Sequence, residues 1–425
     1  MKNIIGILVI AALACVGCAQ EKAKTAPSTE KTTPAPAEPA LKAGKGVDVK
    51  TKTITIATLN ALSGPAAMIG KPFGVGKQVL IKQANDPASK LLPKGWKIEM
   101  IEKDHGYNPA KSQQTFQAIK NQVLFINSFG TPPTLPLRPY LKKDSIVAFP
   151  ASLSSEMANF EYTPPIGPGY DMEARRSMDF AIKQAGGADK VKAAILYQGD
   201  DYGKDGHKGW KKAAADRGVT IVGERAIKRG QKDFTAEITE LKKAGANYVL
   251  LTVLPSATGP ILGTAIKMKY MPTWIGNTPA WVDAFFAHPK LPAVVFSKFY
   301  WATGLPYWGE KVPGMDTFLK AYQQHGQSLH RPDFYLLAAY VQGLASIEAI
   351  KLAIESGDIT RAGYLKALKG MKSFNAGGMM EPADLSKFPY ATGERTRILK
   401  PDFEKKTWSI AGGYAAPIAA APAAK

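Results

Sequence analysis

The sequence predicts an α/β fold built on parallel sheets, and three observations carry that prediction. Short runs of alternating or wholly apolar residues recur along the chain, separated by segments of helical period. The connections between strands are long enough for right-handed crossovers. Two neighbouring strand candidates, residues 123–129 and 145–149, run into hydroxyl-bearing turns, Gly130-Thr131-Pro132-Pro133-Thr134 and Pro150-Ala151-Ser152-Leu153-Ser154-Ser155. In open parallel sheets, ligands bind outside the carboxyl ends of the strands.

The N-terminus carries an address rather than a fold. Lys2 precedes an apolar run of about 14 residues, short of the roughly 20 that span a bilayer, so residues 1–17 read as a signal peptide. The run ends in Ala14-Cys15-Val16-Gly17-Cys18, which resembles the lipobox of bacterial lipoproteins. Cys18 is the expected lipidated residue and Cys15 the second candidate; an ordinary cleaved signal with incidental cysteines is the alternative. The protein is then exported and anchored to a membrane, facing the periplasm or the cell exterior. These are the only two cysteines of the chain, so the exported part has no disulfide and depends on its core. About 360 residues remain for it, enough for two domains.

Residues 18–50 are rich in Ala, Pro, Thr, Lys and Glu without apolar periodicity, and read as a lipidated flexible tether with a reach of about 30 Å. The formal net charge is +20. Its lysines and arginines are interspersed with acidic residues, with no basic helix and no zinc-finger spacing, so a solvated surface explains the charge better than a nucleic-acid partner.

The first strand candidate is residues 53–59, followed by the small-residue loop 60–70 and a helix to about Asn85. The loop is not a P-loop: Gly64 to Gly70-Lys71 is one residue too long, and Pro72 occupies the place of the magnesium-binding hydroxyl. Residues 96–102 alternate as a second strand. Asn108 is an N-cap with Pro109 at the first helical position, and Phe116 and Ile119 face the sheet. With the strand at 123–129, the order is β-α-β-α-β.

The Ser63-Gly64-Pro65-Ala66 loop, the run from Asp104 to Ala110 with its Asn-Pro, and the two hydroxyl-rich turns together resemble the Leu/Ile/Val-binding family of type I periplasmic solute-binding proteins. The resemblance continues to about residue 410. It implies two Rossmann-like lobes with parallel sheets, joined by a three-stranded hinge around a ligand cleft. Residues 51–165 and 297–376 would form the first lobe and 166–296 and 377–412 the second, with 413–425 a disordered tail. Crossings are expected at the Pro164-Pro165-Ile166-Gly167-Pro168-Gly169 break, at residues 297–300 and near Gly377-Gly378. The family implies a monomer that delivers a small solute to the permease subunits of an ABC importer.

Catalysis finds no support. The five histidines, His105, His207, His288, His325 and His330, have no metal-ligand spacing, and no nucleophile elbow or cysteine nucleophile is present. No catalytic residue, metal or cofactor is expected. For binding, the resemblance places Thr131 at the family's carboxylate-holding hydroxyl, with Ser152 in the adjoining turn and Tyr202 at a ligand-facing tyrosine. The family's ammonium group meets a carbonyl at Ala151, a hydroxyl where this chain has Leu153, and a carboxylate where it has Thr278. Leu254 and Ile69 stand in place of aromatic residues, and Tyr107 and Gly130 in place of two disulfide-forming cysteines. Trp281 or Trp301 could add an aromatic wall, and Asp200, Asp201 or Glu156 could supply a carboxylate. The expected ligand is a small, partly apolar carboxylate or amide. The alternatives are a branched-chain or other apolar amino acid, and a ligand-sensing receptor subunit.

Overall fold

A computed structural model of the chain describes residues 41–391 and 393–419. The signal peptide, both cysteines, most of the tether and the last residues of the tail lie outside the described residues.

The first sheet is built from β2 (Val47–Asp48), β3 (Thr53–Asn60), β4 (Lys97–Asp104), β5 (Ile126–Phe129) and β6 (Ala148–Ala151), after a two-residue β1 (Lys42–Ala43). Its parallel strands lie in the order β4-β3-β5-β6, and β2 runs antiparallel to the start of β3. The second sheet contains β7 (Lys192–Gln198), β8 (Thr220–Ile227), β9 (Tyr248–Thr252), β10 (Thr273–Gly276) and β11 (Phe299–Thr303), all parallel. After β12 (Asp358–Ile359), which pairs with β1, the chain adds β13 (Thr396–Asp402) and β14 (Thr407–Ala415) antiparallel at the edge of the second sheet. Helices flank both sheets, so central strands such as β9 are buried on both faces and read as unbroken apolar runs. This is the expected two-lobed α/β architecture.

Four boundaries differ from expectation. Residues 41–50 are folded: β1 and β2 are paired, and Leu41 and Val47 pack against the core. A short apolar residue every few positions was enough to dock a segment whose composition reads as tether. The return to the first lobe does not occur at residues 297–300, because β11 belongs to the second sheet, where Phe299 and Trp301 are fully buried. The third crossing is not at Gly377-Gly378, which form a tight turn against Pro313; residues 374–391 still pack on the first lobe, with Tyr390 N–H donating to Ala158 O. The tail is bound as far as Ile418, whose N–H meets Asp179 and whose carbonyl accepts from Arg217, two residues that form a buried ion pair.

The three crossings converge on Pro168. A Cβ on Gly304 would lie 2.1 Å from Pro168 Cγ, and Gly393, at φ 130°, lies against Pro168 as well. In the first lobe, the helix Ala67–Ala84 lies against the helix Phe334–Glu355 at Gly76 and Gly343. The latter is apolar enough to cross a membrane by length and composition, but 67% of its apolar window is buried inside the protein, which makes it a core helix.

Candidate functional site

Between the lobes lies a cavity of about 670 Å³ measured out to the surrounding atoms, its mouth included. Asn60, at the end of β3, positions its first wall. Its side chain donates to Gly70 O at 2.8 Å and accepts from Ala61 N–H, which pins the strand-to-helix loop and turns Ile69 and Phe73 inward. The ends of β5 and β6 form the next wall. Gly130 has φ 85°, and a Cβ there would come within 2.5 Å of the Tyr107 ring, so only glycine lets the chain turn into Thr131 at this point. The positions corresponding to a disulfide are thus neighbours, filled by an aromatic ring and a glycine.

Thr131 and Ser152 are buried, and their hydroxyls are 2.6 Å apart in one hydrogen bond. Ala151 O accepts from Gly130 N–H at 3.3 Å. Pro132 and Pro133 leave this turn with few N–H donors. From the second lobe, Tyr202 enters on the first turn of a helix capped by Asp200, and its hydroxyl donates to Asn277 Oδ1 at 2.7 Å. Its ring meets the Tyr170 ring edge-on at 5.1 Å. Leu153, Leu254 and Thr278 complete the set, so all eight residues singled out in the sequence border the same cavity.

Thr278 reveals what the sequence concealed. Its N–H donates to Glu173 Oε2 at 2.8 Å and its hydroxyl lies 2.5 Å from Glu173 Oε1, while its carbonyl accepts from Tyr335 Oη and Trp301 Nε1. The carboxyl missing at position 278 is therefore present behind Thr278, one layer further from the cavity, on the helix Tyr170–Ala185. Burial pushes it up to about 8, so at neutral pH it stands as the uncharged acid.

The other candidates fall outside the cavity. Trp281 and Trp301 are fully buried in the aromatic core of the second lobe, each with its ring centre under 5 Å from that of Trp408. Asp200 caps its helix and bonds Gln198, Asp201 is exposed on the first turn, and Glu156 pairs with Arg138. None of the three carboxylates borders the cavity. Conversely, Phe73, Phe129, Tyr170, Phe334, Tyr335 and Gln342 border it and escaped the sequence reading. Phe73 was findable, one helical turn beyond Ile69. Gln342 was the single amide in an otherwise apolar stretch of its helix, a signal in itself.

The lobes touch across the cleft. Asp205, on the second lobe, accepts from Ser155 N–H at 3.0 Å and from the Ser155 hydroxyl; Arg229 donates to Tyr107 O at 3.1 Å. Desolvation pushes Asp205 up to about 6. Hydrogen bonds to a charged group contribute about 1.5–3 kcal/mol, so Asp205→Ala is expected to weaken ligand binding roughly tenfold or more by destabilising the closed form. Titration calorimetry against the parent protein reads this directly, and unchanged affinity would show that Asp205 does not hold the closed form.

Two lobes, two parallel-rich sheets and an inter-lobe cavity define a binding protein for a small molecule. The chain belongs to the periplasmic binding protein family, whose model matches residues 53–389. It is 23% identical over 354 residues to the leucine-, isoleucine-, valine-, threonine- and alanine-binding protein of Pseudomonas aeruginosa, covering 80% of this chain and 90% of that one. It also matches a probable metabotropic glutamate receptor, mgl-1, of Caenorhabditis elegans at 30% identity over 131 residues. That match is 28% of this chain and 13% of the receptor's length. Among solved structures, the fatty acid ABC transporter substrate-binding protein from Thermomonospora curvata superposes with a TM-score of 0.81 at 22% identity, covering 88% of this chain and 95% of that one. The family read from the sequence is thus the family found.

Proposed function

We propose that this protein is the extracytoplasmic substrate-binding lipoprotein of an ABC importer, and that its cleft takes a small, partly apolar carboxylate or amide without an essential α-ammonium group. One observation carries the ligand class. Of the 21 residues bordering the cavity, seven are aromatic and none is an aspartate, glutamate, lysine, arginine or histidine. An ammonium group buried there would have no ionised partner, at a cost of about 3–5 kcal/mol, whereas a carboxylate or amide oxygen meets the hydroxyl pair of Thr131 and Ser152 as donor. Thr278, at the position of the expected carboxylate, spends its own donors on Glu173. The similarity to a fatty acid-binding protein supports an amine-free ligand; the similarity to an amino acid-binding protein favours the alternative, an apolar amino acid.

In this reading Cys18 carries the lipid, residues 19–40 form the tether, and closure presents both lobes to the permease as one surface. Ile69, Thr131, Ala151, Ser152, Leu153, Tyr202, Leu254 and Thr278 contact the ligand, with Thr131 and Ser152 at its oxygen-bearing end. The protein acts alone as a monomer and catalyses nothing. The test is a thermal-shift screen of the chain from residue 19 with ligands paired to differ in the α-amino group, such as leucine and 4-methylpentanoate. A specific ligand raises the transition by mass action. The amine-free member is expected to give the larger shift; a strong shift with leucine and none with its partner would establish the amino acid reading instead.

A further inference from the structure

Two of the ionisable side chains buried behind the cavity wall, one in each lobe, are held by polar residues that border it. In the second lobe it is Glu173, screened by Thr278. In the first it is Lys77, 2% exposed, on the helix Ala67–Ala84. The Lys77 ammonium lies 5.2 Å from the centre of the Phe73 ring and donates to Gln342 Oε1 at 2.8 Å. Both of those residues border the cavity, while Lys77 stands behind them.

Among the described residues no carboxylate pairs with Lys77, and burial holds its ammonium well below the usual lysine range. A buried ammonium with an amide oxygen for a partner is costly in an empty protein, and an anion arriving nearby relieves that cost. Gln342 sits between the two. It is 5% exposed, with Oε1 held by Lys77 and one amide N–H given to Pro150 O at 2.6 Å. A primary amide has two N–H groups, so one remains for the cavity. Pro150 adjoins Ala151 and Ser152, which places this donor on the same wall as the Thr131 and Ser152 hydroxyls.

The geometry points to Lys77, acting through Gln342, as the residue pair that makes the cleft prefer an anionic carboxylate over the corresponding neutral amide. The inference rests on the cleft being the ligand site, and it narrows the ligand class proposed for it. Gln342 is the contacting residue. Lys77 is a positioning residue that fixes the direction of the amide, and an anion in the cleft favours its charged form.

The experiment measures the affinity ratio of acid to primary amide at pH 7, using 4-methylpentanoate with 4-methylpentanamide and benzoate with benzamide, on the chain from residue 19. The parent protein is expected to bind the acid of at least one pair about tenfold or more tightly than its amide. Lys77→Met is expected to bring the ratio to about one. Gln342→Glu sets a carboxylate beside Lys77 and pairs it within the protein, at the loss of the bond to Pro150 O, and is expected to abolish or reverse the preference. A lysine that merely braces two helices would leave the ratio intact while both affinities fell together. That result, or a parent ratio near one, overturns the inference and leaves the ligand site standing. Failure of both pairs to bind the parent protein removes the ligand class and the inference together.

Discussion

The stability of a Glu173→Gln variant, measured against the parent protein, is expected to rise as pH is raised from 5 to about 8 and to level off above it. Glu173 titrates at about 8 in the folded protein and near 4.5 as a model group. Between those values the unfolded chain gives up its proton while the folded chain holds it, so the parent loses stability as pH rises. Integrated over that window, the loss relative to the glutamine variant is roughly 4 kcal/mol. The comparison with the variant matters because Lys77 has the opposite slope: its lowered folded value makes stability rise with pH within its own window, equally in both proteins. Urea unfolding at several pH values gives the difference directly. A gap that stays flat would mean that Glu173 is ionised behind Thr278, and an ionised carboxylate there would return the apolar amino acids to contention as ligands.

The second large effect is mechanical. In Gly76→Val the new Cβ would meet Leu336 O at 2.2 Å and Ala339 Cβ at 2.8 Å. The first obstacle is backbone of the facing helix and cannot rotate away. The helices Ala67–Ala84 and Phe334–Glu355 would have to separate, opening the first-lobe core along their length. Overpacking typically costs about 1–3 kcal/mol, and backbone contact places this substitution at or above the upper end. The expected result is a clearly lowered urea midpoint, in the absence of ligand as well as in its presence. An unchanged midpoint would show that the two helices can move apart freely.

The order of strands and helices was legible because each lobe repeats one pattern, an apolar strand followed by an amphipathic helix. The site was legible in part for the same reason: Thr131, Ser152, Tyr202 and Leu254 lie just past strand ends, where a parallel sheet presents its loops. What escaped was supplied from a distance. Glu173 lies 105 positions from Thr278, and Gln342 lies 265 from Lys77; no local pattern announces either pair. Trp281 and Trp301 misled because aromatic residues favour both cores and pockets, and these two were claimed by the packing around Trp408. The tether was read too long because two apolar residues in a polar segment carry no periodicity, yet Leu41 and Val47 suffice once a sheet edge is there to receive them.

The hinge has a consequence for how the molecule could be observed. Three chain crossings gathered on Pro168, with Gly304 and Gly393 pressed against it, leave the halves little freedom except to swing about that one point. Such a joint confines the relative motion of the halves to rotation about the crossings. One pair of fluorophores, on the helices Pro109–Ile119 and Asp201–Arg217, would then report opening as a change of distance. The same chain that captures a solute would serve as its own gauge of how much solute is present.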